Sequence, residues 1–172
     1  LGAHEAVAIG YGMSPDEDEI QIGSADSAYL YTQNDSSSWS VGSDERIKKD
    51  IATCDLGLAF VNDLRPVTFK RKAYVDWDEE LKEAPRVIEN PDGTESIFEI
   101  KKERINTEKI NYGFIAQEVK AVMDNHSHSE FPAWSISNPK TGEQGVGAGH
   151  FIAPLIKAVQ ELSAKVEALE NA

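Results

Sequence analysis

The most regular hydrophobic pattern of the chain lies near its C-terminal end. Apolar residues there recur at intervals of 3, 4, 3, 4 and 3, with Ile or Val alternating with Leu. We call these six positions the seam: Ile152, Leu155, Val159, Leu162, Val166 and Leu169. The spacing is that of the a and d positions of a coiled coil. The residue types at these positions by themselves favour a coiled coil of two helices. An isolated helix this short has marginal stability, so the pattern predicts that the helix associates with other copies of the chain. Packing of the helix on its own domain is the alternative.

The first 42 residues carry a different pattern, in which apolar residues fall on alternate positions. Val7 and Ile9 alternate with small residues, and Tyr29 and Tyr31 are also two residues apart. This period of two is typical of β-strands. Strands so short bury too little surface to fold alone. We interpret the segment as the end of a β-stalk that needs partner chains.

Beyond residue 42 the pattern predicts a small mixed domain. A short helix is expected over residues 56–64, with Asp55 as its N-cap and Pro66 as its stop, followed by a strand over residues 67–72. The sequence ENPDGTE at residues 89–95 predicts a hairpin turn.

The same domain should continue with alternating strands and helices. The strands of the hairpin are expected at residues 86–88 and 96–102, and a buried strand over residues 110–116 is expected to lead into a helix. Residues 132–137 suggest a further strand, and residues 138–149 a glycine-rich loop.

These elements define the fold class as α+β. Residues 1–42 form the β-stalk segment, and residues 43–172 form a mixed domain that ends in a long, coiled-coil-like helix. The chain does not begin with Met, so we expect it to be part of a longer protein.

Composition excludes several functions. The chain has 17 basic and 30 acidic residues, a net charge of −13, which argues against nucleic acid or an anionic membrane as a partner. Cys54 is the only cysteine, which excludes an internal disulfide and a cysteine-rich metal site. No apolar run approaches 18 residues, and no signal peptide is recognisable. We expect no metal and no cofactor.

A serine and a lysine five residues apart, Ser43 and Lys48, are the strongest candidates for chemistry. A neutral lysine amine can take the proton of a serine if it is desolvated or lies near another cation, here Lys49 or Arg46. On one α-helix five residues turn through about 500°, which leaves the side chains about 140° apart. The pair therefore needs a bend after Ser43, or a lysine from a neighbouring chain. The alternative is a helix start capped by Ser43 or Asp44, with a solvated charged face.

Other polar clusters carry weaker signals. His126 and His128 stand beside Glu130, a grouping that is more often surface than a metal site. The glycines of residues 142–149 precede a helix but lack the ending of a phosphate-binding loop. The acidic run that contains Glu79, Glu80 and Glu83 suggests a solvated face.

Four stretches, taken in order, resemble one known family. They are SDERIKKDI from residue 43, LGLAFVNDLRPVTFKRK from residue 56, NYGFIAQEVKAVM from residue 111 and APLIKAVQELSAKVEALE from residue 153. Together they resemble the C-terminal intramolecular chaperone domain of bacteriophage tail fibres and tailspikes, a family of self-cleaving serine peptidases.

The resemblance implies an α+β homotrimer whose long C-terminal helices grip the fibre's β-stalk during assembly. The domain then cuts itself off between Ser43 and Asp44, with Ser43 as nucleophile and Lys48 as base. The implied partners are the other copies of the chain and the upstream stalk. The stalk part would remain in the virion tail, while the chaperone part would be released in the host cytoplasm.

The resemblance also separates structural residues from catalytic ones. The GFIAQE motif is interpreted as structural core, at Gly113, Phe114, Ala116, Gln117 and Glu118. A tyrosine often precedes the final helix in this family, whereas this chain has His150 and Phe151 there.

Two other functions stay open. One is a non-cleaving trimeric cap or receptor-binding tip, in which Ser43 and Lys48 are structural. The other is a membrane-bound transcription factor of animals that carries the same domain, and the stalk-like first 42 residues argue against it.

Overall fold

The computed structural model describes residues 6–12, 19–24, 29–32, 40–98 and 105–172. Within this part the chain is mixed α+β with several small sheets and a C-terminal helix, which confirms the predicted fold class. The chain divides into two compact units, Leu1–Ala52 and Thr53–Ala172. The boundary predicted after residue 42 stays a prediction.

The described part of the first unit contains a four-stranded sheet. Its strands are β1 (Val7–Tyr11), β2 (Ile20–Ser24), β3 (Tyr29–Thr32) and β4 (Ser40–Val41), in that spatial order. β1 and β2 are parallel, and the other pairs are antiparallel. Gly10 lies opposite Gly23, and a Cβ on Gly10 would come within 1.7 Å of the Gly23 carbonyl oxygen. Glycine at this position therefore permits the close approach of β1 and β2.

This sheet turns an apolar row toward solvent. The register aligns one residue from each strand on the same face, namely Ile9, Ile22, Leu30 and Val41. Their exposed fractions are 57%, 37%, 44% and 52%, whereas Gln21, on the opposite face, is buried. A contiguous exposed apolar surface on so small a sheet is typical of a surface that another chain covers.

The second unit is built around an aromatic core. Phe60 and Met123 are almost completely buried. The Phe60 ring lies edge-on to Phe131, at 5.8 Å between centroids, and stacks on Phe151 at 6.5 Å. Three α-helices of the described residues surround or flank this core: α1 (Leu58–Asp63), α2 (Ala116–Asn125) and α3 (Ile152–Glu170).

Helix α1 is capped by a residue from α3. The prediction that Asp55 caps it is wrong, because the cap position is Gly57 and the Leu58 N–H donates to Glu161 Oε2 at 2.8 Å. A Cβ on Gly57 would lie 2.5 Å from this carboxylate, so glycine makes room for it. The hydrogen bond from Leu58 holds the pKa of Glu161 below its usual range. This cap joins two helices that are distant in sequence.

Six short strands of the described second unit pair two by two, all antiparallel. They are β5 (Val67–Phe69), β6 (Arg86–Glu89), β7 (Glu95–Phe98), β8 (Asn111–Gly113), β9 (Trp134–Asn138) and β10 (Glu143–Val146). β5 pairs with β8, β6 with β7, and β9 with β10. The predicted hairpin is confirmed as β6–β7, although residues 99–102 of its second predicted strand lie outside the described residues.

The loop predicted over residues 138–149 is wrong in part, because β10 lies within it. The Gly142 N–H donates to the Asn138 carbonyl at 2.9 Å, and Gly142 has a φ of 70°. This tight turn returns the chain onto β9, where Gly145 pairs with Ser135. Gly142, one of the glycines that suggested a loop, therefore closes a hairpin instead.

Helix α3 packs against its own unit with a face that is not the seam. Pro154 and Ala158 are buried, whereas all six seam residues are between 45% and 78% exposed. In a single chain the seam is therefore uncovered, and another chain can pack on it. Like the other helices in the described part of the chain, α3 does not combine the length and hydrophobicity needed to cross a membrane.

Candidate active site

Ser43 and Lys48 lie in direct contact just after β4. The chain is extended at Asp44 (φ −65°, ψ 137°), makes a 3-10 turn over Glu45–Ile47, and is extended again at Lys48 (φ −112°, ψ 150°). This turn supplies the bend that the spacing requires, and Lys48 Nζ lies 2.7 Å from Ser43 Oγ. A nucleophile and its base need this hydrogen-bond reach. The two residues selected from the sequence thus meet within one chain.

Asp44 and Arg46 fix the shape of this turn. The Asp44 carboxylate accepts a hydrogen bond from the Arg46 backbone N–H at 2.8 Å and two from its guanidinium at 2.9 and 2.7 Å. These bonds hold the pKa of Asp44 below its usual range. Arg46, expected as a cation beside the lysine, therefore binds Asp44 instead. The alternative interpretation is a turn capped by Ser43 or Asp44. Asp44 does cap this turn, and the same turn brings Lys48 to Ser43.

The turn is exposed to solvent in the single chain. Every residue from Gly42 to Asp50 is exposed. Lys48 acts as the hydrogen-bond donor to Ser43 Oγ, which aligns the two groups but leaves the serine proton in place. Base catalysis needs the neutral amine, and removal from water favours that form. A base at this position would therefore need burial beyond that of the single chain.

A match to a known protein family begins at this turn. The profile of the peptidase S74 family, described as chaperone of endosialidase, matches residues 43–128, half of the chain, and its match begins at Ser43. The chain belongs to the chaperone of endosialidase family. This confirms the resemblance, and the peptidase name of the family agrees with a self-cleaving peptidase in general terms. No curated protein and no solved structure matches the chain.

The GFIAQE motif of this chaperone of endosialidase domain joins β8 to α2. Gly113 ends β8, and the Phe114 ring packs on Phe151 with centroids 5.1 Å apart. Glu118, in the first turn of α2, forms an ion pair with Arg65, whose Nε lies 3.0 Å from Glu118 Oε2. Phe114 therefore packs on the core, but Gln117 is exposed and the Glu118–Arg65 ion pair lies at the surface, so the interpretation of the whole motif as structural core is wrong in part.

The residues before α3 complete the same core. Phe151 is buried and contacts the rings of Phe60 and Phe114, whereas His150 is exposed with its ring 6.5 Å from that of Phe131. The aromatic packing at the start of the final helix is thus supplied by Phe151 in this member of the chaperone of endosialidase family.

The two histidines selected from the sequence pair with separate carboxylates. His126 Nε2 lies 2.7 Å from Asp63 Oδ2, and the His126 ring lies edge-on to Phe60. His128 Nε2 lies 3.4 Å from Asp55 Oδ2. Both therefore link the end of α2 to the α1 region, and in the part of the chain that the structure describes no three metal-binding side chains cluster.

The acidic run lies on 3-10 turns at the surface. Glu79 forms an ion pair with Lys82 at 2.6 Å, and the Glu83 N–H donates to the Tyr74 hydroxyl at 3.1 Å. These contacts suit a solvated face. The sequence analysis missed the Glu161 cap, which no local pattern around α1 signals, because its donor and acceptor are 103 residues apart.

Proposed function

We propose that this chain is an intramolecular chaperone of a phage tail fibre or tailspike. It assembles as a homotrimer, guides the folding of the β-stalk formed by residues 1–42, and then releases itself by cutting between Ser43 and Asp44. The observation that carries the proposal is the 2.7 Å contact between Lys48 Nζ and Ser43 Oγ at the start of the family match.

Two exposed apolar surfaces support self-association. The seam on α3 and the apolar row across the first unit's sheet are each left uncovered in a single chain. Both are contiguous, and burial of such surface is the main favourable contribution to association. The residue types of the seam, β-branched at a and Leu at d, by themselves favour a two-stranded coiled coil. The proposal of three copies therefore rests on the resemblance alone.

A trimer gives the stalk a folding nucleus. Pairing of stalk strands from different chains has a high entropic cost, because distant segments must be brought together. Non-local pairing of this kind is also slow. A domain that already holds three chains together raises the local concentration of their stalk segments. Cutting the domain off afterwards removes the nucleus for refolding, which leaves the stalk kinetically stable.

The proposed chemistry begins with proton transfer from Ser43 Oγ to the neutral Lys48 amine. The oxygen attacks a peptide carbonyl carbon, the C–N bond breaks, and the leaving amine takes the proton back from Lys48. Water then hydrolyses the ester, so that one water is consumed for each peptide bond cut.

Which carbonyl is attacked determines the products. Attack on the carbonyl of Ser43 itself would need a four-membered ring, so a cut after Ser43 by this route calls for Oγ from a neighbouring copy. Attack on the Gly42 carbonyl forms a five-membered ring and cuts one residue earlier. We favour the Ser43–Asp44 bond, as the resemblance implies.

The test follows intact mass and electrophoresis of the purified chain over time. The wild type should yield residues 1–43 and 44–172, and Ser43→Ala and Lys48→Ala should each stop cleavage without changing the oligomer. Lys48→Arg should also fail, because a guanidinium does not deprotonate to act as a base. Lys49→Ala is the matched control, with a mild effect at most.

Each other outcome has a distinct meaning. Products 1–42 and 43–172 would move the cut to the Gly42–Ser43 bond. Normal cleavage by Lys48→Ala would place the base elsewhere. A wild-type trimer that stays intact at every pH would overturn self-cleavage and support a non-cleaving cap or receptor-binding tip, in which Ser43 and Lys48 only shape the turn.

A further inference from the structure

One carboxylate stands next to the Ser43–Lys48 contact. Asp44 directly follows the serine, and both of its oxygens are bound by the Arg46 guanidinium, at 2.9 and 2.7 Å. Arginine binds a carboxylate with two parallel hydrogen bonds, whereas lysine offers a single point charge. In this turn Asp44 pairs with Arg46, while Lys48 Nζ lies 2.7 Å from Ser43 Oγ.

We propose that Arg46 is a positioning residue for self-cleavage, which keeps the Asp44 carboxylate from pairing with Lys48 and so leaves the lysine amine directed at Ser43. The inference rests on the proposed function. A carboxylate paired with Lys48 would favour the ammonium form and oppose its use as a base. It would also draw Nζ away from the serine oxygen.

The remaining charges of this stretch are Glu45, Lys49 and Asp50, all exposed. Solvent and salt screen their influence on Lys48. Asp44 and Arg46 are exposed too, but they are in direct contact at 2.7 Å, and a single substitution removes this contact.

The first measurement is the pH profile of self-cleavage. Arg46→Ala should slow cleavage at least about two- to fivefold at pH 7, because a carboxylate–amine pair changes the protonation of the amine by this much even where it is exposed. At alkaline pH the rate should approach that of the wild type. Arg46→Ala combined with Asp44→Asn should return the pH dependence, whatever its maximal rate, to that of the wild type, since asparagine still caps the turn but does not pair with an ammonium. Glu45→Gln, which removes a charge from the same turn, is the control.

A second measurement does not depend on cleavage. In the Ser43→Ala chain, brief labelling with an amine-acetylating reagent reports how much free amine Lys48 offers, with neighbouring Lys49 as the internal reference. Arg46→Ala should lower the Lys48 to Lys49 labelling ratio about two- to fivefold, and Asp44→Asn in the same chain should restore it.

The two measurements separate the possible failures. A labelling ratio that Arg46→Ala leaves unchanged overturns the role of Arg46, whether or not the wild type cleaves. So does a cleavage rate that falls equally at every pH, because that is the effect of a distorted turn. A ratio that falls in a protein that never cleaves supports the role of Arg46 in directing Lys48 and overturns the proposed function instead.

Discussion

Replacing Leu162 with Asp is expected to prevent self-association while leaving the second unit of each chain folded. Leu162 lies near the middle of the seam and is 50% exposed in the single chain. The core-facing side of α3 is formed by other residues, including Pro154 and Ala158, which the substitution does not touch. The change should therefore act on association, with little effect on the fold of the second unit.

The magnitude follows from the exposed part of the side chain. Full burial of a leucine contributes about 1.5–3 kcal/mol, so covering the half that remains exposed contributes about 1 kcal/mol for each chain. Leu162→Ala should then cost a trimer about 3 kcal/mol, or roughly a hundredfold in its association constant. Leu162→Asp adds the cost of bringing three unpaired carboxylates together at a buried seam, and should be clearly worse.

Light scattering and sedimentation at micromolar concentration measure the effect. The wild type should have about three times the chain mass of 18.9 kDa, and Leu162→Asp should approach one chain mass with its helix content kept in far-UV circular dichroism. Gln160→Asp places the same charge two residues away, off the seam, and should stay assembled. A wild-type monomer or dimer, or a Leu162→Asp trimer, would refute the reasoning.

Two further predictions concern the second unit. Phe60→Ala should lower its free energy of unfolding by about 3–5 kcal/mol, because an almost fully buried ring leaves a cavity, whereas Val75→Ala, at an exposed position, should have little effect in the same urea titration. Glu161→Gln should lower the melting temperature most at neutral pH. The pKa of Glu161 is depressed in the folded chain, so its contribution is complete above the ordinary glutamate pKa of about 4.3 and is lost as the pH falls through the folded value. A gap between wild type and variant that stays constant down to strongly acid pH would contradict this assignment.

Local patterns in the sequence predicted the elements whose signals are short-range. The hairpin β6–β7 follows from a turn sequence whose Asp92 side chain binds the Thr94 N–H at 3.0 Å, a contact between near neighbours. Helix α2 follows from apolar spacing, with Val119 and Met123 on its buried face. In both cases the residues that determine the structure lie within a few positions of one another.

The predictions that failed lacked a decisive local signal, because the cap of α1 depends on a residue 103 positions away and β10 depends on the conformation of a short turn. The cap of α1 comes from Glu161, and Asp55 pairs with His128 instead. The β10 strand forms because a glycine turn returns it to β9, which composition alone does not distinguish from a loop. For Ser43 and Lys48, the residue types pointed to the chemistry, but the α-helical spacing argued against contact. The 3-10 turn, stabilised by Asp44 and Arg46, is what reconciles the two.

Exposure links assembly to cleavage in the proposed mechanism. The Ser43–Lys48 turn, the seam and the apolar row on the first sheet are all uncovered in a single chain. A lysine in water stays protonated at neutral pH as a rule, so a serine–lysine pair with full solvent access is a poor nucleophile. If assembly covers the turn, the same event that completes the trimer also removes water from the amine. Cleavage would then wait for assembly without any separate signal, and a chain kept monomeric by Leu162→Asp should stay uncut although its serine and lysine are unchanged.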